Sequence, residues 1–528
     1  MKKRLFLKTL AGIGIILISI KILSLVLVEP WLQHKIQTAV NEKNKEYTAA
    51  IGSVKLRIFR SGIELKEILI TSKRQSGNGP DLKAEIASVK FTGIKIFKAI
   101  TKKDIDLDDI RFSNIRVEGY LPISGDSKPP FISPLNISIK HIGFENINLS
   151  VQDYFSSGSW LLNDGFIEIH NIKIAKQDSL SAHQFESFDI IAENIGAVSS
   201  DSMYIYKGSG IKYVTLTKSL SIDSFDIHPA YSNYEFSSRF KYQTDRIEGS
   251  FRELHFYDLM LEEFIQTGNV MVTFIEIGDM DLTVFRDKQK PFKHIIKLTF
   301  QEKIYNYPET IHIDSIGLKN GNVTYLEHAA QTDEAGRISF NKLNAKIYKV
   351  SNEAIYETRS AFLELNAEAL FMGTGKLELN LKSELFNRNN TFSLQGILSD
   401  FQLSDMNPFL ENNASLYASS GRLEKMDFFF TADNTKSHGN LIMYYKDFSV
   451  TVKNKQTNDT VAFREKFISL IANRKIIDSN PIPGEELRIG VIDYDSDPER
   501  FVFNYVAKSI FSGIKSSIIK SPDRKKKA

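Results

Sequence analysis

Two stretches, Ile110-Arg-Phe-Ser-Asn-Ile-Arg-Val117 and Ile142-Gly-Phe-Glu-Asn-Ile-Asn-Leu149, share one pattern: apolar-x-apolar-x-(Asn/Asp/Glu/Ser)-apolar-x-apolar. Alternation places the first two apolar side chains on one face of a strand. The next apolar residue comes three positions later, so in a regular strand the second pair would turn to the opposite face. A β-bulge near the Asn restores the first face and bends the strand. Asn and Asp suit that place because their side chains bond nearby backbone. The expectation is that all four apolar residues face one way, on strands bent about a common axis. Halves on opposite faces would defeat it.

The pattern recurs as Ile63-Leu65-Glu67-Ile68-Ile70, Ile167-Ile169-Asn171-Ile172-Ile174 and Leu220-Ile222-Ser224-Phe225-Ile227. It returns as Leu254-Phe256-Asp258-Leu259-Leu261 and Ile275-Ile277-Asp279-Met280-Leu282. The spacing of the copies is irregular, which argues against a solenoid or propeller of fixed period. Other strands are predicted at Val214–Leu216, Leu377–Leu381, Phe392–Leu394, Phe428–Phe430 and Leu441–Tyr445. Longer breaks fall at Thr71–Pro80, Ile123–Pro134 and Gln331–Gly336. No long helical run interrupts residues 50–450, so antiparallel pairing is the natural reading.

The fold class expected is mainly β: an N-terminal transmembrane helix, then a long, twisted, curled antiparallel sheet with a few terminal helices. Counted loosely, about 25 strands are expected, spaced ~4.8 Å apart. Helices are predicted at Pro30–Lys45, Val461–Lys475 and Phe501–Ile519, too few to cover so long a sheet. Its apolar face must then pack on a second sheet or line an open, groove-like trough. The pattern leaves both open.

Thr9–Val28 carries Lys21 as its only charge and is long enough to cross a bilayer core of ~30 Å. Lys2, Lys3, Arg4 and Lys8 precede it, which predicts a cytoplasmic N-terminus and an exported body. Lys21, in the outer half, is expected to snorkel outward. No small-x-small cleavage site stands around Ser24–Pro30, which favours an anchor over a signal peptide.

The net charge is +3, but each basic end contributes +4, leaving the body at about −5. Such a body lacks the basic face that nucleic acid requires, so no nucleic-acid partner is expected. The absence of cysteine excludes disulfides and thiolate chemistry. Ten histidines form no His-Glu-x-x-His or His-x₃-His motif, and His170 and His312 read as strand positions facing solvent. No Gly-x-Ser-x-Gly elbow is present. Gly373-Thr-Gly-Lys376 reads as a turn, and Asp104, Asp106, Asp108 and Asp109 as a solvated loop. No enzyme, metal or cofactor is expected.

Three features together resemble the AsmA-like family of the Gram-negative envelope. The first is the anchor, short helix and Ile51-Gly-Ser-Val-Lys-Leu-Arg-Ile-Phe-Arg-Ser-Gly-Ile-Glu-Leu-Lys-Glu-Ile-Leu-Ile70 entry; the second is the recurrent pattern. The third is a C-terminal block of Phe392-Ser-Leu-Gln-Gly-Ile-Leu-Ser-Asp-Phe-Gln-Leu403, Met406-Asn-Pro-Phe-Leu410, Ser420-Gly-Arg-Leu-Glu-Lys-Met426 and Gly439-Asn-Leu-Ile-Met-Tyr-Tyr-Lys-Asp-Phe-Ser-Val450. The family is related to the TamB/YhdP/YdbH group of bridge-like lipid transfer proteins. The resemblance implies a single-pass inner-membrane protein with a periplasmic body, whose apolar β-groove binds or conducts phospholipid between the membranes and supports outer-membrane biogenesis. The alternative is a structural or chaperone-like periplasmic scaffold that assists outer-membrane protein assembly, with an envelope protein as partner.

On that reading residues 1–8 form a cytoplasmic basic tail, 9–28 the transmembrane helix and 29–48 a short helix. Residues 49–390 form the groove body, 391–500 the AsmA-like C-terminal module, 501–519 an amphipathic helix and 520–528 a basic tail. Groove candidates are Ile63, Leu65, Ile110, Phe112, Ile115, Ile142, Phe144, Ile147, Ile167, Ile169, Leu254, Phe256, Ile275 and Ile277. The final helix either caps the sheet or meets a membrane surface through Phe503, Ile510, Ile514, Ile518, Lys525 and Lys526.

Overall fold

The structure, a computed structural model, describes residue 21 and residues 24–43, 47–57, 61–73, 82–95, 104–121, 136–153, 158–174, 183–330, 332–359, 361–452 and 476–519. Most of the predicted anchor, both basic tails with Lys525 and Lys526, and the predicted helix at 461–475 lie outside these residues. Among the described residues no helix is long and apolar enough to cross a membrane. The chain divides into two compact units at Thr217/Lys218.

The first unit opens with the helix Glu29–Lys43 and continues as β1 (Tyr47–Arg57), β2 (Gly62–Ser72), β3 (Lys83–Thr92), β4 (Asp104–Leu121), β5 (Asn136–Asp153), β6 (Ser159–Ile174), the two-residue β7 (His183–Gln184), β8 (Ser187–Val198) and β9 (Tyr204–Val214). Strands pair in sequence order, β6 with β8 across β7. The second unit holds β10 (Ser219–Pro229), β11 (Asp245–Tyr257), β12 (Val270–Asp287), β13 (Ile311–His328), β14 (Gly336–Ser351), β15 (Phe362–Phe371), β16 (Gly375–Glu384), β17 (Phe392–Gln402), β18 (Leu416–Ala432), β19 (Lys436–Val452) and β20 (Ile489–Asp495). These again pair in order. The ladder runs unbroken from β16 to β17, through the boundary drawn at 390/391.

Antiparallel pairing is not universal. β4–β5 and β12–β13 are parallel. A parallel pair needs a long return connection. Residues 288–310 supply one within the second unit, and 122–135, where the sequence shows a long break, separate β4 from β5. In both pairs a central polar residue of the pattern stands beside a polar residue of the next strand. Asn146 Nδ2 donates to Asn114 Oδ1 at 2.9 Å, and Asn320 Nδ2 to Asp279 Oδ1 at 2.7 Å.

The bulge expectation holds at Asn146, between β5 and β6, and needs correction at Glu67 and Asn114. Glu67, Asn114, Asn146, Asn171 and Asp258, the central residues of five copies, all have φ between 52° and 55°. Across Glu67 and Asn114 the pairing keeps its register, whereas at Asn146 the β5–β6 pairing shifts between Phe144 and Ile147 and again before Leu149. Ile51 faces Ile68 and Ser53 faces Lys66; Ile86 faces Ile115 and Ser88 faces Ser113. In the Glu67 and Asn114 pairings no residue is inserted, while β5 carries one extra residue against β6 at Asn146. At Glu67 and Asn114 a left-handed residue on one strand and its unpaired neighbour on the next turn the alternation over together, so the count stays one to one. Asp258 differs, lying just beyond the end of β11.

This crease costs backbone energy, roughly 1–2 kcal/mol for an ordinary L-residue in the left-handed region, and Asn tolerates it best. Asn114→Val is therefore expected to destabilise the first unit by ~1–2 kcal/mol, whereas Asn114→Gly costs less because glycine accepts positive φ. Denaturant midpoints of the two variants give the order. An equal or reversed order would remove the conformational explanation.

The one-face expectation holds in the first unit. Ile63, Leu65, Ile68 and Ile70, from both halves of one copy, share a single apolar cluster with Ile51, Val54, Val89 and Ile110. Leu32 and Ile36 of the helix Glu29–Lys43 pack against the same cluster.

Candidate functional site

Register turns the pattern into transverse apolar rows. Across the first unit, one row reads Leu56, Ile63, Phe91, Ile110, Ile142, Ile169, Phe188. The next is Val54, Leu65, Val89, Phe112, Phe144, Ile167, Ile190, Tyr213. Beyond the crease run Ile51, Ile68, Ile86, Ile115, Ile147, and then Ala49, Ile70, Ala84, Val117, Leu149, Leu162. The four apolar positions of the pattern are thus four parallel stripes. All ten first-unit groove candidates fall on the first three of them.

Most of these side chains are half-buried, with Ile110 buried. Phe112 and Phe144 stack at 4.7 Å between centroids, with their planes 11° apart. No second sheet covers the rows among the described residues of this unit. At the β1 end they run under the helix Glu29–Lys43.

That helix is tied to the sheet by Glu29. Its carboxylate accepts from the Leu56 N–H (3.0 Å), Lys21 Nζ (3.0 Å) and Ser24 Oγ (3.3 Å). Lys21, expected to snorkel, has a specific partner. Burial raises the Glu29 carboxyl, but the Leu56 N–H, Lys21 and Ser24 outweigh it and hold the group below its usual value. A depressed carboxylate stabilises the fold above its unfolded value near 4.5, and that contribution is lost as pH falls through the folded value. Protection of the Leu56 amide against hydrogen exchange is expected to fall over that acid window. In Glu29→Gln this pH step should vanish; its persistence would show that another group sets it.

In the second unit the same logic gives Leu220, Phe256, Ile275, Ile316, Ile347, Leu365, Leu381, Leu394, Phe430 as one row. Beside it run Ile222, Leu254, Ile277, Leu318, Ala345, Ala367, Leu379, Gly396, Phe428, Leu441. The four remaining groove candidates lie on these rows, Leu254 buried and Phe256, Ile275 and Ile277 half-buried.

Towards β17–β20 the rows close into a core of Leu394, Phe428, Phe430, Leu441 and Ile492 beneath the helix Val502–Ile518. Tyr505, Val506, Ile510, Ile514 and Ile518 of that helix pack into this core. Ile510, Ile514 and Ile518 thus cover the sheet, the first of the two roles expected for this helix. Phe503, 71% exposed, stays outside the core and meets the ring of Phe300 at 5.7 Å.

A hollow of about 770 Å³ is lined by Phe274, Glu276, Leu318, Lys319, Asn344 and Leu379 among others. The acidic run at 104–109 belongs to β4 and not to a loop. Asp108 pairs with Lys140 at 2.7 Å, Asp106 with Lys95 at 3.7 Å and Asp109 with His141 at 2.5 Å. Gly373-Thr-Gly-Lys376 spans the β15–β16 turn, as expected.

The fold and its rows define a class: a mainly β protein in which each unit is a single sheet with one continuous apolar face, partly covered by a helix. No family model matches the chain, and no curated protein sequence does.

Proposed function

We propose that this chain is a non-enzymatic, inner-membrane-anchored protein of the cell envelope whose apolar sheet face holds lipid acyl chains. The observation that carries this reading is the set of four apolar rows in the first unit that no second sheet covers among the described residues. Eight strands at ~4.8 Å make the longest of these rows about 34 Å, and Ile110 to Val117 at ~3.3 Å per residue makes the set about 23 Å wide. Half of a ~30 Å bilayer core, the reach of one acyl chain, fits within that width. The order of anchor, entry segment and C-terminal block, which resembles the AsmA-like family, fits the same reading and would place the body in the periplasm.

The test is mass spectrometry of lipids that copurify with residues 29–528 exported without the anchor. Phospholipid in near-molar ratio supports the proposal. A well-folded body free of lipid would count against it and favour the scaffold reading, with an envelope protein as the partner.

A further inference from the structure

The face of the first unit opposite the apolar rows carries a second constellation. Asp109 on β4, His141 on β5 and His170 on β6 are successive register partners. Glu168 lies two residues from His170, so it shares that face. One ligand atom from each of His141, Glu168 and His170 lies within 4.8 Å of the other two, and all three residues are half-buried. The two imidazole rings are 5.2 Å apart.

Two contacts give this group a direction. His141 Nδ1 lies 2.5 Å from Asp109 Oδ1, which Arg111 Nη2 also approaches at 3.3 Å. A carboxylate on Nδ1 places the ring proton there and turns the Nε2 lone pair outward. That lone pair faces Glu168 Oε1 at 3.1 Å. Two acceptors at this separation repel unless a cation lies between them. Bonds of ~2.0–2.2 Å at a tetrahedral angle place neighbouring donor atoms about 3.3 Å apart, close to the separation seen. Asp109, Glu145 and Glu168 outweigh Arg111, whose Nη1 is held by Glu145 at 2.6 Å. Gly143 leaves the room: a Cβ there would stand 3.3 Å from the His141 ring.

We propose that His141, His170 and Glu168 bind a divalent transition-metal ion of the zinc type, with Asp109 as the positioning residue behind His141. Two imidazoles and one carboxylate are the donor set that suits such an ion. Three protein ligands leave a further position for water. Bound metal would clip β5 to β6 directly behind the Ile142 and Phe144 rows. The competing arrangement is a protonated His141 bridging the two carboxylates, which binds no metal.

The test uses the full chain, purified in detergent, stripped with chelator and titrated with Co²⁺. The expected result is one Co²⁺ per chain with visible d–d bands, displaced by Zn²⁺. His170→Asn and Glu168→Gln should each abolish the bands with the circular dichroism spectrum unchanged. Asp109→Asn should weaken affinity about 10–100-fold without abolishing the bands. Absence of bands in the native chain at excess Co²⁺, or bands of native strength in folded His170→Asn, would overturn the site.

Discussion

Gly513→Val is expected to unseat the final helix and to lower the melting temperature of the second unit by roughly 6–12 °C, the equivalent of ~3 kcal/mol. The reason is the closeness of helix and sheet. A Cβ on Gly513 would stand 2.7 Å from Ile492 Cγ1 and 3.0 Å from Leu441 Cβ, both on fully buried side chains. From the other side, a Cβ on Gly490 would stand 2.2 Å from the Gly513 carbonyl oxygen. Ser509 and Ser517, one turn before and one after Gly513, are both wholly buried, and Ser509 Oγ meets Ser437 Oγ at 2.8 Å.

The helix therefore approaches the strands along small residues, while Tyr505, Ile510, Ile514 and Ile518 grip the core to the sides. Fully burying each large apolar side chain contributes about 1.5–3 kcal/mol, so the docked helix cannot simply be given up. A chain ending at Arg500 should lose cooperative melting of the second unit. Calorimetry of Gly513→Val decides the point: a melting temperature within 2 °C of native would mean that the helix is not seated along Gly513.

The apolar-x-apolar-x-polar-apolar-x-apolar pattern was legible because burial on one face leaves a period in the sequence. The change of spacing at Asn114 and Asn146 signalled a change of backbone. Its form was not legible: a bulge and a left-handed residue both displace the next apolar side chain by one position, and only pairing distinguishes them. The parallel pairs were hidden for a related reason, since one strand pattern serves either direction and only the long breaks hinted at a return connection. At the C-terminal end the apolar stripe of the helix was visible, but not its partner. The tightest contact there is made by Ser509, Gly513 and Ser517, which carry no hydrophobic signal. His141 and His170 meet through register alone, 29 residues apart in the chain, so no local motif could reveal them.

Phe112→Asp combined with Phe144→Asp is expected to remove most bound lipid from the body, lowering affinity by more than about 100-fold, the effect of one such Asp alone. The two rings stack at 4.7 Å in the middle of the second apolar row, flanked by Val89 and Ile167. Carboxylates there would lie in the path of any acyl chain laid on this face. An Asp in hydrocarbon costs about 2.5–3.5 kcal/mol on insertion scales, and each 1.4 kcal/mol is tenfold in affinity. The neighbouring face supplies the control. Arg116, on the same strand but exposed on the polar side, can become Asp without entering the rows. If lipid rides on the apolar face, Arg116→Asp retains it and the double variant loses it, with both spectra still showing folded sheet. Equal lipid content in the two variants would mean that bound lipid lies elsewhere. The rows would then be the buried side of a scaffold, and the exposed strands and turns would become the surface on which to seek a protein partner.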